Sequence, residues 1–176
     1  EDGLGYQTGD IFTNPDLAKT LQMIADNGAD AFYKGEVADA LIEAVKKYDG
    51  VMTTEDLTAY KVNLREPVSS TYRGYKIISC PPPSSGGTHL IEILNVLENY
   101  DISAMEVNSA EYVHLFSEAF KAAFADRAAY MGDTDFIEGV PLDGLTSKDY
   151  AKTIADKITD ESQKWEKGDP KQYEGN

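Results

Sequence analysis

Apolar positions follow a helical period along most of this chain and switch once to a strand-like period. Residues 1–13 hold glycine and threonine breaks without a clear period, and read as a loop. Asn14-Pro15-Asp16 then spells a helix start. The Asn14 side chain can accept orphan backbone N–H groups, proline suits the first helical position, and Asp16 complements the helix dipole. Leu17, Leu21, Ile24 and Ala25 form one apolar stripe, and Asn27-Gly28 closes the helix. A second helix is predicted from Glu36 to Tyr48, with Val37, Ala40, Leu41, Ala44 and Val45 on one face and Asp49-Gly50 as the stop. Thr53-Thr54-Glu55-Asp56 opens a short third helix ending near Tyr60.

The period changes between Glu66 and Cys80. Glu66–Tyr72 and Tyr75–Cys80 read as two strands joined at Arg73-Gly74, with Val68, Ile77 and Ile78 inward. Three prolines, 81 to 83, end the second strand because proline cannot donate to a ladder. Thr88–Tyr100 is helical again, with Leu90, Ile91, Leu94 and Leu97 inward. The longest helix runs from Asn108 or Ser109 to Met131 and carries two adjoining apolar stripes, so it is expected to bury more than one side. His114, Ser117, Glu118 and Lys121 form its solvated stripe. A last helix runs from Thr146 or Ser147 to Ile158. Residues 160–176 are polar and aperiodic, and read as a mobile tail.

The fold class is therefore α+β: a mostly helical chain with one strand pair. No repeat and no linker is visible, so residues 1–176 read as a single fragment. A lone hairpin is marginal in water, so these strands want a larger sheet to join.

Composition narrows the function classes. The net charge is −15, and a phosphate backbone or anionic membrane surface needs a basic face. No apolar run approaches the roughly 20 residues that span a bilayer. Glu1-Asp2-Gly3 is not the basic start of a signal peptide, and without an initial methionine the chain is expected to be a processed or excised piece. The single cysteine, Cys80, can form neither an internal disulfide nor a metal site alone.

The block CPPPSSGGTHL, residues 80–90, raises the question of chemistry. A P-loop needs separated glycines and a lysine, whereas Gly86 and Gly87 are adjacent and Thr88-His89 follow. A nucleophile elbow needs glycine two before and two after the serine, and Ser85 has Pro83 and Gly87 there. The reading favoured over catalysis is structural: Ser84 or Ser85 caps the next helix, and Gly86 and Gly87 allow a sharp turn against a neighbouring backbone. Two histidines, His89 and His114, with no H-E-x-x-H pattern, point away from imidazole-held metal. Asp133 and Asp135 begin like a calcium loop, but its glycine and closing glutamate are missing at the required spacing. Asp126 and Arg127 continue apolar stripes of the long helix. Buried charges need partners, so both are expected to bond loop backbone or another segment as structural tethers.

Four blocks in order, NPDLAKTLQMIADNGADAFYKG, MTTEDLTAYKVNLREPVSSTYRGYKI, PPPSSGGTHLIEILNVLENYD and EAFKAAFADRAAYMGD, resemble the gamma-glutamyltranspeptidase (glutathione hydrolase) family. The resemblance covers about Asp10 to Asn176. It implies an N-terminal-nucleophile hydrolase whose precursor cuts itself into a large and a small subunit. The small subunit then begins with a threonine whose hydroxyl is the nucleophile. By the same resemblance the chain is the C-terminal half of the large subunit. Its tail, 160–176, leads to the self-cleavage point, with Asn176 on the near side of the cut. No residue matches a catalytic or substrate-binding position of the family, and no cofactor or metal is implied. The implied contribution is helices and strands of an αββα sandwich.

The implied activity of the intact protein is hydrolysis or transfer of the γ-glutamyl group of glutathione and related amides, with this chain inactive alone. Its implied partners are the small subunit, the upstream part of the large subunit and a small γ-glutamyl substrate, with neither nucleic acid nor membrane contact. A periplasmic or secreted location follows from the resemblance alone. A cephalosporin acylase or a poly-γ-glutamate depolymerase stays open within the family. Outside it stand a non-enzymatic helical interaction module, which predicts a closed core, and a serine hydrolase using Ser85.

Overall fold

The structure, a computed structural model, describes residues 5–175. Asn176 and the first four residues lie outside them. The chain divides into two compact units at Asn63 and Leu64, within a stretch free of regular structure.

The first unit holds α1 (Pro15–Asn27), α2 (Asp30–Tyr33), α3 (Glu36–Lys47) and α4 (Thr54–Ala59). The Asn14 side chain caps α1 by accepting from Leu17 N–H, and Gly28 ends it at φ 72°. Thr53 and Asp56 form a reciprocal capping box on α4. The small core is Ala38, Ile42 and Leu57, with Leu41 packed against it. The inward face of α3 is thus turned from the predicted one, and Ala40 and Ala44 lie outside. Leu17 and Leu21 of α1 are 51% and 56% exposed, so the predicted stripe is present but faces outward. Helix α2 lacks a strong sequence signal because it is a single turn.

The second unit begins with β1 (Val68–Tyr72) and β2 (Tyr75–Ser79), antiparallel in the register Val68–Ser79 to Tyr72–Tyr75. Arg73 and Gly74 both have positive φ, which suits the two-residue hairpin turn. The two strands make a two-stranded sheet. Val68 and Ile77 are half-buried, whereas Ile78 is exposed. Successive strand residues point to opposite faces, so Ile77 and Ile78 cannot both turn inward.

Helix α5 (Gly86–Leu97) lies on the hairpin, followed by α6 (Ala110–Tyr130), α7 (Leu142–Leu145) and α8 (Lys148–Ala155). Their core is built from Val96, Leu97, Leu115, Ala119, Ala122, Leu145, Ile154 and neighbours. Small residues on α6 let α5 and α8 approach closely. Ser109 and Ser147 cap α6 and α8 by accepting from Tyr112 and Tyr150 N–H.

Two predictions fail here for one reason. The stretch after residue 160 is docked, with Pro170 buried and Trp165 and Tyr173 packed on the core. Together with Thr159 it covers His114, Glu118 and Lys121 of the polar stripe of α6, while Ser117 stays exposed. His114 Nε2 bonds Thr159 O at 2.7 Å, Lys121 Nζ donates to Gln163 O at 2.9 Å, and Glu118 is buried. A polar stripe met by a polar segment carries no hydrophobic signal, so both look solvated in sequence.

Candidate functional site

The PPPSSGG block joins β2 to α5, and the helix starts at Gly86 rather than Thr88. Ser85 takes the capping position, yet its side chain caps nothing. The Ser85 hydroxyl instead accepts from Arg127 Nε at 2.9 Å, and Ser84 Oγ accepts from Gly86 N–H at 3.3 Å. The glycines do not turn the chain through positive φ; they are the first helical residues. Gly87 is needed for approach, because a Cβ there would stand 2.2 Å from Cys80 O and 2.8 Å from Val68 Cγ2. The helix N-terminus therefore sits directly on the strand ends.

His89 is buried and meets the carbonyl of Ser85, Nδ1 to O at 2.5 Å, not the hydroxyl. Burial holds its ring pKa below the ordinary histidine range, so the ring is neutral. A Ser85–His89 nucleophile pair is not assembled by this arrangement.

The chemically dense part is the inner face of α5 against α6 and α8. The sequence places Leu90 and Leu94 inward. The structure buries Thr88, His89, Glu92 and Asn95 there and leaves Leu90 45% exposed. Asn95 Nδ2 donates to Thr146 O at 2.8 Å, which fixes α5 to the start of α8. Neither oxygen of Glu92 has a hydrogen-bond partner of good geometry among the described residues. Burial, then the charge of Asp126, pushes the Glu92 pKa well up. Glu92 is therefore the protonated member of a buried carboxyl pair.

Asp126 is 1% exposed and uses both oxygens. Oδ1 accepts from Gly168 N–H at 2.7 Å, and Oδ2 accepts a short hydrogen bond from the Tyr150 hydroxyl. Burial, then that bond, drives the Tyr150 pKa far above its usual value, so the hydroxyl stays a donor. Tyr130 Oη donates to Gly168 O at 2.8 Å, and both polar backbone groups of Gly168 are thus held by α6 side chains. Glu118, one stripe away, pairs with Lys121 and accepts from Trp165 Nε1 at 2.6 Å. Burial raises its pKa, but these two partners outweigh it and leave the carboxyl below the ordinary range.

Of the residues singled out in sequence, Ser85 and Arg127 meet one another. Gly86 and Gly87 lie on the same helix start. Asp126 sits apart, beneath the C-terminal stretch, and Asn176 is outside the described residues. Sequence reasoning missed Glu92, Tyr150 and Gly168. Glu92 lies at i,i+4 from Thr88 on a polar stripe, which is legible only as a solvated face. Among the described residues no group of three or more His, Cys, Asp or Glu could hold a metal ion.

A half-open cavity of about 190 Å³ is lined by Asp126, Tyr150, Trp165, Gly168 and Tyr173, between α6, α8 and the C-terminal stretch. With Asp126, Tyr150 and Trp165 already engaged in hydrogen bonds, the arrangement acts as a clasp on that stretch.

A sequence model of the gamma-glutamyltranspeptidase family matches residues 1–176. The chain is 48% identical over 158 residues to the glutathione hydrolase proenzyme of Escherichia coli (strain K12), covering 90% of this chain and 27% of that protein. It is 43% identical over 149 residues to the acylase ACY 1 proenzyme of Pseudomonas sp. (strain SE83), covering 85% and 26% respectively. Among solved structures, Helicobacter pylori gamma-glutamyltranspeptidase superposes with a TM-score of 0.79 at 49% identity, over 99% of this chain and 49% of that one. The chain spans about a quarter of the length of the curated relatives it matches.

Proposed function

The chain belongs to the gamma-glutamyltranspeptidase family, and from that premise we propose that it is part of a self-cleaving precursor of a γ-glutamyl-transferring hydrolase. The family match across the whole chain carries this reading. The relatives named proenzymes support the cleavage step.

In this reading the nucleophile is a threonine that becomes N-terminal when the precursor is cut. A hydroxyl is a weak nucleophile and needs a base beside it. The freed α-amine, with a pKa near 8, supplies that base. The hydroxyl oxygen adds to the γ-glutamyl carbonyl, its proton passes through the amine to the leaving nitrogen, and a γ-glutamyl ester forms. Water opens the ester in hydrolysis; the amine of an acceptor amino acid opens it in transfer.

This chain then serves as scaffold for the subunit bearing the threonine, together with the upstream part of the precursor, and is inactive alone. Its strand pair joins a larger αββα sandwich. Two observations support that role: the two-stranded sheet is small for independent stability, and α5 packs on it. The location proposed for the intact protein is periplasmic or secreted.

The full-length precursor is purified, and its conversion into two polypeptides is followed on gels. The smaller product is sequenced from its N-terminus, and turnover of γ-glutamyl-p-nitroanilide is assayed before and after. The expected result is a new N-terminal threonine, with activity appearing only as the precursor disappears. Full activity in the uncut chain, or another first residue, overturns the proposal. The relative named an acylase supports a second reading, in which the ester forms from an acyl side chain other than γ-glutamyl. Release of that side chain faster than γ-glutamyl release would select it.

A further inference from the structure

We infer that Asp126 is a positioning residue for self-cleavage: it clasps the segment Trp165–Glu174 to the helical core of the second unit and so sets the register of the bond cut downstream. The inference rests on the self-cleavage reading given above.

Three attachments fix that segment. At its start, Trp165 Nε1 donates to Glu118 Oε2 at 2.6 Å. At its centre, Gly168 gives its N–H to Asp126 Oδ1 and takes the Tyr130 hydroxyl on its carbonyl. Near its end, Gly144 N–H donates to Glu174 Oε1 at 2.6 Å.

The fit is close at two of these points. A Cβ on Gly168 would stand 1.9 Å from Tyr150 Oη, and a Cβ on Gly144 would stand 2.0 Å from Pro170 O. A shift of one residue in either direction would place a side chain where only glycine fits. It would also leave Asp126 without its amide partner, which is costly for a buried carboxylate. The register of the segment is therefore specified by shape and by hydrogen bonding together.

Asp126 is central because it joins the segment to the core on its other oxygen. Tyr150 donates to it from α8, so α6, α8 and the segment meet at one carboxylate. Self-cleavage is an intramolecular attack, and such reactions depend steeply on the alignment of the reacting atoms. Holding Gly168 and Glu174 removes most of the freedom of the chain that leads to the bond.

Asp126→Asn keeps the size of the side chain and removes its charge. Its amide offers one neutral acceptor where the carboxylate offered two charged ones, and its nitrogen can only donate, so the charge-assisted hold on Gly168 N–H is weakened. In the full-length precursor, the self-cleavage rate of Asp126→Asn should fall about tenfold, as misalignment predicts. Activity per cleaved molecule should stay within about twofold, because alignment of the precursor bond no longer matters once that bond is cut. Glu174→Ala is the second variant; its side chain is on the exposed end of the clasp and cannot unfold the core. It should also slow cleavage without lowering the thermal midpoint of the matured protein.

Wild-type cleavage rates in both variants would overturn the inference. So would a loss of activity per cleaved molecule that parallels the loss of cleavage, which would mean a general folding defect. A wild-type precursor that never cuts itself would instead sink the self-cleavage reading, before either variant is compared.

Discussion

At the scale of single residues, the buried carboxyl pair is the most consequential feature. Glu92 is fully buried, lies beside Asp126, and keeps its proton to well above the ordinary carboxylate range. A carboxyl whose pKa is raised by folding contributes stability while it stays protonated in both states. That contribution is lost as the pH climbs through the raised value, because the unfolded chain then releases the proton more readily. The second unit should therefore weaken as the pH climbs from the ordinary carboxyl range up to that raised value, where the unfolded chain has lost the proton that folded Glu92 still holds. Glu92→Gln keeps the shape and cannot ionise, and its amide can donate to Asp126. The expected outcome is a thermal midpoint that falls less in the variant than in the parent as the pH rises from about 5. A parallel fall in the two proteins, measured by circular dichroism, would remove Glu92 as the source.

At the scale of elements, capping was the clearest signal and packing direction the weakest. Asn14, Thr53 and Ser109 each mark a helix start in sequence, and each side chain accepts the expected backbone N–H. Such caps act within a few residues, and the cap that fails, Ser85, is the one whose hydroxyl a distant residue, Arg127, has taken. The faces were less legible. Ile78 looked inward by composition but alternates outward from Ile77, and Leu90 lost its inward place to Thr88, Glu92 and Asn95. Asn95 goes inside because a partner, Thr146 O, arrives from a distant segment, whereas Thr88 and Glu92 are enclosed by the packing of α5 on its neighbours, Glu92 beside the charge of Asp126. A single sequence without its contacts cannot show that pairing. Capping gives a direct test of how far each helix depends on its surroundings. Thr53→Ala and Ser109→Ala each remove one cap at a cost of about 1 kcal/mol. Helix α4 buries Leu57 alone, so Thr53→Ala should appear as faster amide exchange confined to residues 54–59. Helix α6 is central to its core, so Ser109→Ala should lower the urea midpoint of the second unit as a whole. Equal, local effects from both would contradict the packing described for α6.

At the scale of the whole chain, the apolar surface separates a scaffold from a self-contained module. An independent interaction module should close its core, leaving scattered apolar residues outside. Here the second stripe of α6 stays open: Val113, Phe120 and Phe124 are 50%, 45% and 55% exposed, and Leu90 of α5 adds to the open apolar surface. Phe124 has His89 at 6.3 Å and the Arg127 guanidinium at 6.0 Å, which cover only part of its ring. On the hairpin, Ile78 faces outward from a sheet of two strands. Patches of this kind mark places where another protein surface packs. The proposed precursor supplies such a surface from its remaining segments. Produced by itself, the chain should then bind an apolar dye such as anilinonaphthalene sulfonate and associate as its concentration rises. The intact precursor at equal molarity should do neither. Phe120→Ser with Phe124→Ser should reduce dye binding by the isolated chain, since those rings contribute little to its own core. In the precursor the same pair should lower stability by several kcal/mol, as truncation of well-buried aromatics does. An isolated chain that stays monomeric and dye-free would instead restore the module, with this face as solvated as any other.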